Sequence, residues 1–315
     1  MGRPSTASGH PPTAEDPLLH QLTGGDRAAV TALGARLREA VPTGRLGVAF
    51  SGGVDSSTLL ALAARALGPD RVLAVLGLSP SLGAEERAAA HEVAAGVGVE
   101  LVEVRTHEGD DPRYRRNGPD RCFFCKDELF TRIDAEVVPA HGLSAVAYGE
   151  NADDARRPDR PGARAATEHA VLRPLADAGL DKAAVRRVAR TLRLSCADKP
   201  AAPCLASRIP HFQEVTPGKL GQVEQAESAL RRLGLGDLRV RHHGDVARVE
   251  VPVTDLPAVV AEPTRERVLQ AVRSCGFRFV ALDLAGVQSG AFTLPLVVVP
   301  AAPTGARVDA ETRRG

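Results

Sequence analysis

Residues 45–62 read RLGVAFSGGVDSSTLLAL, and the fold turns on how the apolar run at the start meets the glycines behind it. A strand pattern over 45–50 passes through Ser51-Gly52-Gly53 into a helix pattern over 54–67. A strand, a glycine turn and a helix N-terminus gather several backbone N–H groups and the positive end of a helix dipole at one point, which makes an anion site. Glycine lets the backbone come close to a ligand and adopt positive φ, and Ser51, Ser56 and Ser57 add hydroxyl donors. The competing reading is a tight turn in which Asp55 and the serines only cap the helix. No GxxxxGKS/T motif occurs in the chain, so any phosphate here is held without the lysine of a nucleotide P-loop.

Working outward, strand and helix patterns alternate: strand 71–78, helix 84–96, strand 99–105, helix 126–140, strand 144–148 and helix 181–193. Alternation of this kind predicts an α/β fold with a parallel sheet and helices on both faces. After about residue 208 the order changes to a helix over 217–233, two adjacent strands around Gly244-Asp245, a helix over 263–274 and a strand in FRFVALDL. This second pattern predicts a small α+β domain. The expected division is a disordered tail (1–27), an α/β domain (28–208), an α+β domain (209–299) and a second tail (300–315), both tails being rich in small and polar residues.

Composition narrows the function classes. The chain has 315 residues, 43% of them hydrophobic, and 40 basic against 39 acidic residues give a net charge of +1. Near-neutral, mixed charge disfavours nucleic acid or an anionic membrane as partner. No apolar run approaches a membrane span, and MGRPSTASGHPPTAEDP lacks the apolar core of a signal peptide. A cytoplasmic location is expected, where five cysteines read as thiols, metal ligands or reactive groups rather than disulfides.

Three further segments carry chemistry. YGENADDARRPDRPG (148–162) follows a predicted strand and so sits at the carboxyl edge of the sheet, where Asp153 and Asp154 could hold Mg2+ through oxygen; a solvated loop of mixed charge is the alternative. RNGPDRCFFCKDELF holds Cys122 and Cys125 at the opening of a helix. One Cys-x-x-Cys pair cannot complete a tetrahedral zinc site, which leaves a redox dithiol or an incomplete metal site. DKPAAPCLASRIP places Cys204 at the predicted domain junction, with Lys199 and Arg208 nearby to favour its thiolate. Three thiolates would leave one iron of a cluster open. The chain has four lysines, and Lys126 and Lys199 fall beside these cysteines. Cys196 and Cys275 read as buried structural thiols.

SGGVDSS resembles the SGGxDS signature of the PP-loop ATP pyrophosphatase superfamily, whose members release pyrophosphate from ATP and transfer AMP to an oxygen of the substrate. That resemblance implies the adenine nucleotide alpha hydrolase-like fold and assigns Ser51, Gly52, Gly53, Asp55, Ser56, Ser57 and Asp154 to ATP, its pyrophosphate or Mg2+. PRYRRNGPDRCFFCK, YGENADD with RPGARAATEH, and DKPAAPCLASRIP, taken in order, resemble the LarE family over roughly residues 28–298. The family comprises ATP-dependent sulfur transferases that adenylate the carboxylates of pyridinium-3,5-biscarboxylic acid mononucleotide and convert them to thiocarboxylates for the nickel-pincer nucleotide. The resemblance implies homo-oligomers and one of two sulfur sources. Either Cys204 gives up its own sulfur, or Cys122, Cys125 and Cys204 hold a [4Fe-4S] cluster carrying an extra sulfide, the route favoured by the presence of all three; what replenishes the sulfide is open.

For the substrate's phosphate and carboxylates, arginine is the matching side chain. Arg239 and Arg241 alternate with apolar residues in LRVRHH, which puts them on one face of a strand. The family resemblance gives this pair to the mononucleotide, with Glu227 as a further site residue, whereas pattern alone reads it as the polar face of a half-buried sheet. The chain departs from the family at Val287 and Gln288, where a tyrosine and an arginine are common, and at Ala197, where an aromatic is; Arg278 is a candidate to compensate. Rival readings are tRNA thiolation, amide-forming synthesis and a non-catalytic nucleotide or cluster sensor.

Overall fold

The computed structural model describes residue 17 and residues 19–157, 160–200 and 203–287. Most of both expected tails, and Gln288, lie outside these residues.

The first unit opens with α1 (Gly24–Ala40), β1 (Arg45–Ala49), α2 (Val54–Leu67), β2 (Val72–Leu78), α3 (Ala84–Val97) and β3 (Glu100–Arg105). It continues with α4 (Arg121–Arg132), β4 (Leu143–Tyr148), α5 (Pro161–Glu168) and α6 (Lys182–Thr191). The four strands form one parallel sheet in the order β3-β2-β1-β4. β2 shows why both faces must be covered. Val72, Ala74 and Leu76 pack into a core shared with α1, α2, α3 and α6, while Leu73 and Val75 pack into a second core with Phe130 and Ile133. A strand buried on both faces reads as a continuous apolar run, VLAVLGL, rather than an alternating one.

Two boundaries differ from the sequence expectation. α4 begins at Arg121, five residues before the predicted start, and gives way after Arg132 to a wider turn over Ile133–Val137 and a last turn over Val138–His141. The Cys-x-x-Cys pair therefore lies within the first turns of α4. α1 begins at Gly24, where Thr23 accepts from the N–H of Asp26 as its cap.

The second unit is α7 (Pro217–Arg232), β5 (Arg239–His243), β6 (Val246–Glu250), α8 (Thr264–Arg273) and β7 (Phe279–Leu282). β5 and β6 are antiparallel across Gly244-Asp245, and β7 adds to β6 in parallel. Ala226 and Leu230 of α7 pack on Val240, Val249 and Val272. A smaller core of Tyr114, Leu205, Ile209, Leu220 and Val223, with Phe124 and Cys125 against it, joins the units around the segment that carries Cys204.

The sheet edge has a pH-sensitive fastening. Glu103 of β3 accepts from Arg87 Nε and Nη2 at 2.6 Å and pairs with His91 Nε2 at 2.7 Å, both on α3. Hydrogen bonding to Arg87, and then to His91, holds its carboxyl down to about 2 from an ordinary 4.5. A depressed folded-state value contributes stability above the unfolded value and loses it as the pH falls through the folded one. Urea unfolding followed from pH 5 down to pH 2 should show a falling midpoint, and Glu103→Gln should flatten that dependence; an equally steep fall in the variant would remove Glu103 as its source.

Candidate active site

The loop after β1 takes the shape its sequence predicts. Gly52 has φ +70°, and a Cβ there would lie 2.9 Å from Ala90 Cα, so only glycine fits against α3. Gly53 caps α2 with no side-chain bond, leaving the first N–H groups of the helix without intrahelical acceptors. Ser56 Oγ accepts from the N–H of Ser51 at 3.3 Å and donates to Gly53 O at 3.1 Å, while Ser51 Oγ lies 3.2 Å from it. Ser57 stands behind the loop, fully buried.

Gly149 brings the chain after β4 onto this loop: a Cβ there would lie 2.6 Å from Ser56 N and 2.8 Å from the carbonyl carbon of Asp55. The contact delivers Asn151, whose Nδ2 donates to Asp154 Oδ2 at 2.9 Å and to Asp55 Oδ1 at 3.3 Å. Lys182 Nζ binds Asp55 Oδ2 at 2.5 Å, and Arg160 binds Asp154 Oδ1 at 2.5 Å. Asp153 caps the backbone of Lys182 and pairs with Arg156. The two carboxylates assigned to nucleotide or metal thus meet across one amide. A magnesium ion that keeps most of its waters and its phosphate ligands needs only one or two such oxygens, and Asp55 and Asp154 fit that demand. Lys182 and Asn151 were not among the residues singled out in the sequence; the scarcity of lysine was the available signal for the first.

A cavity of about 440 Å3 opens beside the loop, between the sheet edge and α7. Its wall includes Ser51, Ser79 and Ser81, the cysteines Cys125 and Cys204, and a basic stretch of Arg208, Arg231 and Arg239. A recess of about 240 Å3 lies on the Asp55 side of the loop, lined by Lys182, Arg186 and Lys199. Lys199, Pro200 and Pro203 line both spaces.

Two of the three cysteines, Cys125 and Cys204, line this cavity, and Cys122 does not. Cys122 and Cys204 are exposed, Cys125 is half-buried, and Cys125 lies in electrostatic range of both. Burial pushes the Cys125 thiol well up, and Glu108, Cys204 and Cys122 push the same way. Arg121 ties the elements together: it donates to Ala206 O at 2.9 Å and to Asn117 Oδ1, and it faces Cys204 and Cys122. Asn117 Nδ2 in turn donates to Ile209 O and Pro210 O. Burial, reinforced by Arg160, lowers the Lys126 ammonium, which sits 4.2 Å over the Tyr148 ring; Lys199 Nζ binds Glu86 at 2.6 Å. Among the described residues, no group of three His, Cys, Asp or Glu side chains is placed to hold a single metal ion. Three thiols are the donor set of an iron–sulfur centre with one open iron, and by that chemistry alone Cys122, Cys125 and Cys204 fit such a group.

The predicted arginines part company. Arg239 lines the cavity and pairs with Asp237 at 2.7 Å. Arg241 is not among the lining residues; Glu250 of β6 takes it at 2.8 and 2.9 Å, and its Nη1 donates to Ser207 O. Glu227 is buried but lines the cavity, accepting from Arg208, Arg231 and the N–H of Val240. Its carboxyl is held low: burial opposes the charge, and Arg208 outweighs it. Cys196 is buried in the first core, and Cys275 is half-buried against the core of the second unit. Arg278 is exposed on Asp245, away from the cavity.

The profile of the asparagine synthase family matches residues 27–144, which contain the glycine loop. An uncharacterized protein of Synechocystis sp. is 40% identical over 243 residues, covering 77% of this chain and 90% of that protein. The pyridinium-3,5-bisthiocarboxylic acid mononucleotide synthase of Lactiplantibacillus plantarum is 34% identical over 246 residues, 78% of this chain and 88% of that enzyme. An uncharacterized protein of Methanocaldococcus jannaschii is 30% identical over 169 residues, 54% of this chain and 64% of that protein.

Proposed function

This chain belongs to the LarE family of ATP-dependent sulfur transferases, and from that premise we propose that it adenylates the carboxylates of pyridinium-3,5-biscarboxylic acid mononucleotide and converts them to thiocarboxylates for the nickel-pincer cofactor. The observation that carries the reading is that a residue of the phosphate-type loop, Ser51, and an exposed thiol, Cys204, line the same cavity.

A carboxylate is a poor electrophile, so activation comes first. A substrate carboxylate oxygen attacks the α-phosphorus of ATP, the bond to the bridging oxygen breaks, and pyrophosphate leaves with that electron pair. The N–H groups at the start of α2 and the hydroxyls of Ser51 and Ser56 receive the pyrophosphate. Asp55 and Asp154 would hold Mg2+, whose charge would offset that of the phosphates. Lys182, Arg186 and Lys199 make the recess beside Asp55 a basic exit for the leaving group. Arg208, Arg231 and Arg239 take the phosphate and second carboxylate of the mononucleotide, with Glu227 holding two of them in place. Arg241, through Glu250, stiffens the strand that presents Arg239.

Thiolation then needs a sulfur nucleophile at the activated carbonyl, with AMP leaving as the C–S bond forms. A [4Fe-4S] cluster held by Cys122, Cys125 and Cys204 would supply sulfide for this attack and be recharged from an external sulfide source. The exposure of Cys204 at the cavity favours a second reading, in which its own Sγ attacks. Loss of the Cα proton and cleavage of the Cβ–S bond then release the thiocarboxylate and leave dehydroalanine.

Intact mass of anaerobically purified protein, taken before and after incubation with ATP, Mg2+ and the biscarboxylate nucleotide, separates the routes. Product with unchanged polypeptide mass supports the cluster. Product with loss of the mass of hydrogen sulfide at Cys204 supports sacrifice of the side chain. ATP bound without substrate-dependent pyrophosphate release would sink both.

A further inference from the structure

Glu108 follows β3 on a short turn over Glu108–Asp110 and is buried, with 3% of its surface exposed. Glu108 is one of the residues that line the large cavity, and its Oε2 has no hydrogen-bond partner. The other charged groups on that wall differ in this respect: Lys199 is paired with Glu86, Arg208 and Arg231 with Glu227, and Arg239 with Asp237. Of the buried side-chain atoms left without a partner among the described residues, only Glu108 Oε2 belongs to the cavity lining. A buried carboxylate oxygen with no donor is costly to the empty protein, so the working state must bring a donor to it.

The charge of the site defines that donor. A carboxylate beside Cys125 and Tyr114 repels phosphate and carboxylate groups, and it accepts from neutral hydroxyl donors. A nucleotide carries such donors as the vicinal hydroxyls of its ribose. The location is compatible: in open α/β sheets, ligands bind outside the carboxyl ends of the strands. Here the turn follows β1, and Glu108 follows β3 on the same edge.

We propose that Glu108 is a binding residue that accepts hydrogen bonds from the ribose diol of a nucleotide in the cavity, and that it thereby selects ribonucleotides and turns their anionic groups toward the basic stretch. The proposal rests on the nucleotide reading given above. The diol belongs either to ATP or to the pyridinium mononucleotide, and the measurement separates the two.

Dissociation constants are measured by calorimetry for wild type, Glu108→Ala and Glu108→Gln. The probes are ATP, 2′-deoxy-ATP and 3′-deoxy-ATP, and a pyridinium-3-carboxylate ribonucleotide with its 2′-deoxy form. Wild type should favour the ribo form of one pair by about tenfold or more, and Glu108→Ala should bring that ratio close to one. The pair that responds identifies the ribose. An unchanged ratio in Glu108→Ala for both pairs, or no ribo preference in wild type, overturns the assignment while ATP binding stands. No ATP binding by wild type would overturn the nucleotide reading and this inference with it. Thermal unfolding without ligand gives an independent readout: because the empty protein gains nothing from an unpartnered carboxylate, both variants should melt at or above the wild-type temperature. A marked fall in both would assign Glu108 a structural role and overturn the proposal.

Discussion

Cys204→Ser leaves ATP binding and substrate-dependent pyrophosphate release within a few-fold of wild type and lowers thiolated product by about three orders of magnitude or more, the scale set by removing a covalent nucleophile. The split follows from geometry. Cys204 and Ser51 are both on the cavity wall, and the backbone of Cys204 is fixed by neighbours rather than by its thiol. Leu205 N donates to Ser81 O at 2.9 Å, and Arg208 Nη1 reaches Pro203 O at 2.7 Å. Serine keeps the volume and a hydrogen-bonding hydroxyl, so the segment has no reason to move. Its oxygen has neither the nucleophilicity of a thiolate nor affinity for iron. Pyrophosphate and thiocarboxylate assayed in the same reaction check the split. Loss of both activities together would place Cys204 in the adenylation step, and full product formation would remove it from sulfur transfer.

Gly149→Ala lowers the rate of the earlier step about a hundredfold. The added methyl would meet Ser56 N at 2.6 Å and Asp55 C at 2.8 Å, and both are backbone atoms at the head of a helix whose flank is fully buried. Neither can swing aside like the end of a side chain, so β4 and α2 must separate by a good fraction of an ångström. Overpacking of this kind costs about 1–3 kcal/mol. The larger effect is on the loop, because the N–H groups at the head of α2 and the Asn151 bridge between Asp55 and Asp154 are set by the same contact. A misplacement on this scale lowers the rate about a hundredfold. Gly96→Ala is the control, since a Cβ there meets nothing within 4 Å. Wild-type pyrophosphate release by Gly149→Ala would show that the loop does not depend on this packing.

These two residues mark what sequence can and cannot reveal. Cys204 and the glycine loop were legible because their signals are local: a strand, two glycines and a helix start must lie together whatever surrounds them. The parallel sheet was legible for a similar reason, since runs such as VLAVLGL admit few other environments. Gly149 was not, because its demand comes from Ser56, ninety-three residues earlier in the chain. Glu108 was silent too, one acidic residue in the mixed run HEGDD, distinguished only by burial and by the absence of a partner. Arg239 and Arg241 show where a single-strand pattern stops. Period-two spacing placed both on one strand, but Glu250 on the neighbouring strand captures Arg241, and no single-strand pattern contains that choice.

Lys199, Pro200 and Pro203 belong to the walls of both the large cavity and the basic recess, so these three residues stand between two spaces with a different trade on each side. In the proposed reaction the waste of activation is discharged on one side of them, past Lys182 and Arg186, while sulfur is handed over on the other. On that reading, pyrophosphate would depart without crossing the thiol, and the separation of the two products would come from the walls themselves rather than from a moving gate.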